Sequence, residues 1–281
     1  MTQVKLCIIG AAGRMGRALI RGAFADARFR LSGATERVGS AFIGEDLGRL
    51  ASERDTGVKL SDDPLAALSD ADICIDFSGP AASLALLARF PADHNVGLIL
   101  GTTGFDANGL HQIRKAAENR AIVHAANFSV GVTLMAHLLR QASAALGEEW
   151  DIEIAEAHHR HKLDAPSGTA LALGHAAAAG RGKSLDDLRL APYVSAAEPR
   201  RTGGIGFAVR RAGGIVGDHD VALASEQEVL SLSHRALSRD IFASGALRAA
   251  LWAHQQAPGL YSMDDVLGLS DAKGADHDPT P

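Results

Sequence analysis

The chain has 281 residues, 47% apolar and 22% charged, which allows one large or two modest domains with a sizeable core and argues against wholesale disorder. Lys and Arg number 28 against 33 Asp and Glu, a formal charge of −5, and aromatics are only 5%. A general nucleic-acid binder would need an overall basic field and stacking rings, and both are missing. Cys7 and Cys74 stand far apart in apolar runs, so no disulfide framework is expected and a reducing compartment fits. No apolar stretch approaches the roughly 18–20 residues that span a bilayer. The first ten residues, MTQVKLCIIG, run into a strand without a signal-peptide pattern, so a soluble, cytoplasmic protein is expected.

In chain order, Val4–Ile9 is a near-continuous apolar run, as in a strand covered on both faces. A helix follows over Arg14–Ala25 and a strand near Phe29–Ala34. Ser61-Asp62-Asp63-Pro64 marks a helix start, with a capping residue before proline. Strand Ile73–Phe77, helix Ala81–Arg89, strand Val96–Leu100, helix Ala107–Glu118 and strand Ala121–Ala125 complete the alternation. Repeated β-α order predicts a Rossmann-like, doubly wound parallel sheet, an α/β fold. After Asn127 the pattern changes. Helix Val130–Leu146 leads to a strand over Trp150–His158, where Ile152 and Ile154 alternate with Asp151 and Glu153. An alanine-rich helix starts around Ser167. Strand-like runs follow at Gly206–Arg210, Val221–Ala224 and Val229–His234, then a helix over Arg239–His254. This predicts an α+β domain with a mixed sheet, and a frayed polar tail after Ser270.

Gly10-Ala11-Ala12-Gly13-Arg14-Met15-Gly16 joins the first strand to the first helix. Such a turn lets backbone approach a pyrophosphate, and the helix N-terminus offers unpaired N–H groups. Ala12 takes the second glycine position of G-x-G-x-x-G, so a tight turn without a ligand stays open as the alternative. Glu36, 20 residues after Gly16, sits where an acidic side chain accepts from the adenosine ribose. Arg37 beside it can lie on adenine or meet a 2′-phosphate, so NAD, NADP or both are permitted; a solvated charge pair is the alternative. Asp76-Phe77-Ser78, Gly101-Thr102-Thr103-Gly104-Phe105 and Ala125-Ala126-Asn127-Phe128-Ser129 all end strands, where open α/β sheets bind ligands.

The densest signal is Glu156-Ala157-His158-His159-Arg160-His161-Lys162-Leu163-Asp164-Ala165-Pro166-Ser167-Gly168-Thr169-Ala170, with three His, one Arg and one Lys in positions 158–162. His-His-x-His could serve a metal, but Arg160 and Lys162 would repel a divalent cation and no Cys or H-E-x-x-H completes a shell. No metal is therefore expected. A solvated charged face is the plain alternative. Pro166-Ser167-Gly168-Thr169 opens the alanine-rich helix and puts donors at its positive end, where a small carboxylate could be held. His159 and its neighbours would then neutralise a second carboxylate, and a His or Lys would deliver a proton. Neighbouring positive charge should destabilise the Lys162 ammonium and make it a readier donor.

The segment Glu156–Ala170 closely resembles the 4-hydroxy-tetrahydrodipicolinate (dihydrodipicolinate) reductase family. Gly10–Gly16, Glu36-Arg37, Gly101–Phe105, Ala125–Val132, Gly204–Phe207, Gly217-Asp218-His219, and His234 with Ser238-Arg239 join that resemblance in order from Val4 to Leu269. It implies NADH- or NADPH-dependent reduction of 4-hydroxy-tetrahydrodipicolinate to tetrahydrodipicolinate, with release of water, in the diaminopimelate route to lysine. It also implies His158 as proton donor or acceptor and Lys162 as proton donor, with His159, Gly168 and Thr169 on the substrate; Ser167, at the expected helix start, joins them as a substrate-binding candidate. Gly10, Ala11, Ala12, Gly13, Arg14, Met15, Glu36, Arg37, Gly101, Thr102, Thr103, Ala125, Ala126, Asn127 and Phe128 match cofactor contacts. The implied layout is a dinucleotide-binding domain of residues 1–127 and 239–270 interrupted by a substrate-binding and oligomerisation domain, 128–238, with 271–281 as a flexible tail. The implied assembly is a homotetramer, with no nucleic-acid or membrane partner, and the two domains are expected to close over a small dicarboxylate.

Overall fold

A computed structural model describes residues 3–90, 95–191 and 199–270. The tail expected after Ser270 lies outside the described residues. In chain order the strands are β1 (Val4–Ile9), β2 (Phe29–Thr35), β3 (Ile73–Asp76), β4 (Gly97–Leu100), β5 (Ala121–His124), β6 (Asp151–His158), β7 (Ile205–Arg211), β8 (Gly217–Ala224), β9 (Val229–Ala236) and β10 (Gly259–Tyr261). The helices are α1 (Arg14–Ala25), α2 (Leu47–Leu50), α3 (Pro64–Leu68), α4 (Pro80–Arg89), α5 (Ala107–Ala117), α6 (Val130–Leu146), α7 (Gly168–Gly180), α8 (Leu185–Leu188), α9 (Asp240–Ala253) and α10 (Met263–Leu267). They form two compact units. One holds the described residues up to Ser129 and from Asp240 to Ser270, the other those of Val130–Arg239.

The first unit is a six-stranded parallel sheet in the order β10-β5-β4-β3-β1-β2. Successive strands add to one side of β1 and then to the other, so the order reverses between β1 and β3. The Gly10–Gly16 turn leaves β1 at that switch point, where α/β sheets leave a crevice. Leu6, Cys7 and Ile8 are fully buried, as strands covered on both faces require. Cys7 and Cys74, distant in sequence, are register partners on β1 and β3 and remain free thiols. Burial, with Cys7 alongside, pushes the Cys74 thiol well above its ordinary value.

Local chemistry sets the helix ends. Asp63 caps α3 by accepting from Leu65 N–H at 3.0 Å, with Pro64 in the first turn. Helix α4 starts at Pro80, one residue before the expected Ala81, because a first-turn proline loses no hydrogen bond. The short α2, α8 and α10 and the three-residue β10 lie outside the sequence expectation. β10 is defined by its pairing with Ala121–Val123 of β5, and no periodicity fits three residues. Helix α9 packs on α1 and over β3, β4 and β5. Its small residues Ala243, Ala246, Ala249 and Ala250 are buried, and a Cβ at Gly245 would overlap the Phe128 carbonyl. Smallness lets the helix lie this close.

The second unit is a four-stranded mixed sheet, β7-β6-β8-β9, with β6 and β7 parallel and the other pairs antiparallel. The parallel pair is joined through α7, as a crossover demands. Ile152, Ile154, Ile205, Val221 and Leu223 form one core with Met135 and Leu139 of α6 and Leu173 and Ala177 of α7. Strand β8 begins at Gly217, earlier than the expected Val221. Its polar Asp218 and His219 continue the pleat, paired with Ala157 and Glu156 of β6.

Candidate active site

In the first unit the site is built from backbone. Gly10 has φ +70°, a left-handed conformation that favours glycine, and nothing lies within 4 Å of where its Cβ would point. Gly16 serves packing instead, since its Cβ would stand 2.5 Å from Ala11 Cα and 2.6 Å from Gly10 O. Helix α1 follows Gly13, an N-cap position without a side-chain cap, and has no acidic residue in its first turn, which leaves amide donors and positive dipole for an anion. Glu36 reaches back to this turn: Oε2 accepts from Ala12 N–H at 3.2 Å and Oε1 from Arg37 N–H at 3.1 Å. The turn and its acidic partner are thus in one place, with Arg37 exposed beside them. An open glycine cradle, a free helix terminus and an adjoining carboxylate fit a dinucleotide.

The strand ends beyond β3, β4 and β5 are joined by polar contacts. Asp76, buried, accepts from Ser78 Oγ at 2.6 Å and Ser83 Oγ at 2.7 Å, and Ser83 lies 2.9 Å from Thr102 Oγ1. Thr102 O lies 3.4 Å from His124 Nε2. Burial holds the His124 imidazole below its ordinary pKa and favours the neutral ring. A Cβ at Gly101 would overlap the Phe77 ring, so this glycine admits an aromatic side chain rather than only a ligand. Thr103, Gly104 and Ala126 are exposed along the same edge, Ala125 and Asn127 are half-buried, and Phe128 is buried against Phe77. Arg14 is exposed and Met15 half-buried on the first turn of α1.

In the second unit the site is built from side chains. Glu156 and His158 point to the same face of β6, two residues apart. Glu156 is buried and its carboxylate faces four nitrogens. Oε2 takes Arg211 Nη1 at 2.7 Å and faces His158 Nδ1 at 2.6 Å; Oε1 takes Arg211 Nη2 at 2.7 Å and Ser167 N–H at 3.0 Å. Burial alone would raise this carboxyl, but Arg211, His158 and the Ser167 amide overcome it and hold it below the ordinary range. Ser167 caps α7, accepting from Ala170 N–H at 3.2 Å, and its Oγ lies 3.3 Å from His219 Nε2. The His219 ring meets His158 edge-on, with centroids 5.2 Å apart. Burial, with His158 next to it, pulls His219 down to about 4. Gly168 has open space where a Cβ would sit, and Thr169 follows half-buried on the first turn of α7.

Two expectations about charge need correction. Lys162 is not set among cations alone, because Asp164 Oδ2 stands 2.9 Å from its ammonium. The turn that brings them together is not visible as sequence spacing. His159 is the weaker candidate for a fixed positive charge. Its Nε2 lies 3.1 Å from Arg239 Nη2, and burial and that guanidinium hold its pKa below the ordinary value. Arg239 is the permanent cation there. Arg160 and His161 are exposed.

Sequence reasoning assigned no role to Glu156, Arg211, His219 or Arg239. Three of them stand within matched segments, and only their polar types could have marked them. Arg211 carried no local signal; it meets Glu156 because β7 pairs with β6 in a register that sets Arg211 opposite His158. Among the described residues no group of His, Cys, Asp and Glu could hold a metal ion, and no helix is long and apolar enough to cross a membrane.

Comparison with known proteins follows the same division. A family model described as dihydrodipicolinate reductase, N-terminus, matches residues 4–128, and one described as dihydrodipicolinate reductase, C-terminus, matches 131–267. A 4-hydroxy-tetrahydrodipicolinate reductase of Parvibaculum lavamentivorans is 49% identical over 267 residues, 95% of this chain and 98% of the relative. The same-named protein of Rhizobium rhizogenes is 48% identical over 268 residues, 95% and 97%. Among solved structures, dipicolinate-bound dihydrodipicolinate reductase from Paenisporosarcina sp. TG-14 shares the fold with a TM-score of 0.74. Its identity is 22%, and the match covers 93% of this chain and 98% of that one.

Proposed function

The chain belongs to the dihydrodipicolinate reductase family, and from that premise we propose the following chemistry for its two sites. It is an NAD(P)-dependent oxidoreductase that reduces 4-hydroxy-tetrahydrodipicolinate to tetrahydrodipicolinate with release of water, in the diaminopimelate route to lysine. The reduced dinucleotide, when bound, supplies the hydride. Gly10–Met15 cradle its pyrophosphate at the start of α1, Glu36 takes the ribose, and Gly101–Thr103 with Ala125–Phe128 flank the nicotinamide. The Glu36-Arg37 pair suits both NADH and NADPH, with Arg37 free to meet a 2′-phosphate.

In the second unit, Ser167, Gly168 and Thr169 hold one substrate carboxylate at the α7 N-terminus, and His159 with Arg239 takes the other. Loss of the ring hydroxyl as water puts a proton on the leaving oxygen and takes one from the adjacent ring carbon. Dehydration thus consumes no net proton and leaves the ring conjugated. Hydride then adds to the conjugated ring system, and the resulting enamine carbon takes the one net proton that accompanies the hydride. His158 Nε2 and Lys162 Nζ are the groups assigned to those transfers. The observation that carries this assignment is the His158 ring, held at Nδ1 by a buried carboxylate beside the capped start of α7.

The face of the mixed sheet away from α6 and α7 alternates with the core positions and carries exposed Ala155, Ala208, Ser231 and Ser233. Small side chains suit close sheet-to-sheet contact, and we assign this face to a homotetramer, to be tested by light scattering. A cytoplasmic location goes with the same pathway. The decisive assay follows loss of reduced-nicotinamide absorbance with freshly made condensation product of pyruvate and aspartate semialdehyde, NADH and NADPH side by side. Substrate-dependent oxidation is expected, and His158→Gln with Lys162→Ala together should lower kcat by about 10³-fold or more. No oxidation with either cofactor, or near-normal turnover in the double variant, would overturn the assignment.

A further inference from the structure

Glu156 lies outside the proton-transfer roles above, yet it has the most completely bonded side chain of the second unit's site. Each carboxylate oxygen faces two nitrogens: Oε2 faces Arg211 Nη1 and His158 Nδ1, Oε1 faces Arg211 Nη2 and Ser167 N. The guanidinium and the amide can only donate, so each oxygen accepts, and the bidentate positive charge of Arg211 keeps the group ionised, with its pKa below the ordinary range. An ionised carboxylate 2.6 Å from Nδ1 in turn requires a hydrogen on that nitrogen. Nε2 is then the atom of neutral His158 with the lone pair. Gly217 keeps that atom clear, because a Cβ there would stand 3.1 Å from it.

We propose that Glu156 is the positioning residue of the reaction: clamped by Arg211 and tied to the start of α7 through Ser167 N–H, it fixes His158 as the Nδ1–H tautomer with Nε2 turned to substrate. One carboxylate thereby sets the orientation of the proton-transferring imidazole and the place of the helix end assigned to the substrate carboxylate. Arg211 also donates to Asp164 O at 2.6 Å, so the same clamp reaches the loop that carries Lys162. The inference rests on the reductase reading above for what Nε2 does, but the tautomer itself is independent of it.

The test uses full-length protein labelled with ¹⁵N in its histidine rings, with His158 assigned by loss of its signals in His158→Gln. In the neutral state the long-range ¹H–¹⁵N spectrum should show His158 protonated at Nδ1 and bare at Nε2. The opposite tautomer, or a mixture, overturns the proposal without any variant at Glu156. Glu156→Gln, folded by circular dichroism, should lower kcat by about 10²-fold while KM stays within about three-fold. Its His158 signals should become mixed. A kcat within about three-fold of the parent, or a loss confined to KM, overturns the proposal. If Glu156→Gln fails to fold, the parent spectrum decides alone. A parent enzyme with the expected tautomer but no imine-dependent turnover would sink the reductase reading and leave the carboxylate–imidazole pair standing.

Discussion

The two units build their sites by opposite means. At the β1–α1 turn the working groups are backbone amides, and the side chains are mostly absent: Gly10 supplies a left-handed bend and Gly16 a close helix–strand contact. At the end of β6 the working groups are ionisable side chains, and the backbone only sets their register. A backbone site is broken by adding atoms, and a side-chain site by removing charge. The difference also separates their responses to pH, since amides do not titrate, whereas the buried Glu156 and His219 have pKa values moved by their surroundings.

The largest effect should come from stranding the buried charge. Arg211→Met leaves Glu156 without its bidentate partner, and removing one member of a buried pair costs about 3–5 kcal/mol. Urea unfolding should show that loss; a change below about 1 kcal/mol would mean that water or another donor replaces the guanidinium.

Acid titration should come next. His219 is held neutral at about 4 against an ordinary 6.5, so the unfolded chain takes up a proton that the folded one refuses. Stability from this group is full above about pH 6.5 and declines as pH falls toward 4, by about 2–3 kcal/mol after allowing for solvent screening. Glu156, held below its ordinary value, adds a further loss only in more acidic solution. His219→Asn should flatten the melting temperature between pH 6.5 and 4. An unchanged slope would assign the titration elsewhere.

In the first unit, Gly16→Ala should cost about 1–3 kcal/mol by overpacking and weaken dinucleotide binding, with the acid response unchanged. A silent Gly16→Ala would mean that the turn tolerates a wider helix–strand spacing. The smallest effect belongs to Arg37→Ala, expected to lower NADPH affinity by about ten-fold, near 1.4 kcal/mol, and to leave NADH within about two-fold. Equal loss of both would place Arg37 on adenine instead.

Legibility followed the same division. The parallel sheet could be read because apolar runs and helical faces repeat at fixed local periods, and Gly10, Gly16 and Glu36 are spaced by one β-α-β unit. The histidine run stood out because five polar residues are adjacent in sequence. Its electrostatics could not be read there. Whether Lys162 has a carboxylate at 2.9 Å, or His159 a guanidinium at 3.1 Å, depends on a turn and on residue 239, far along the chain. β10 and the two-thiol register of Cys7 and Cys74 were hidden for the same reason.

The sequence by itself determined the longer helices and strands and the residues at strand ends, because backbone propensity and side-chain periodicity act over a few residues. Only the tertiary structure decided which charge meets which. Arg211 reaches Glu156 through the parallel pairing of β6 with β7, and His219 reaches His158 through the antiparallel pairing with β8. Coulomb energy and desolvation depend on distances across strands, and those are set by register rather than by position in the chain.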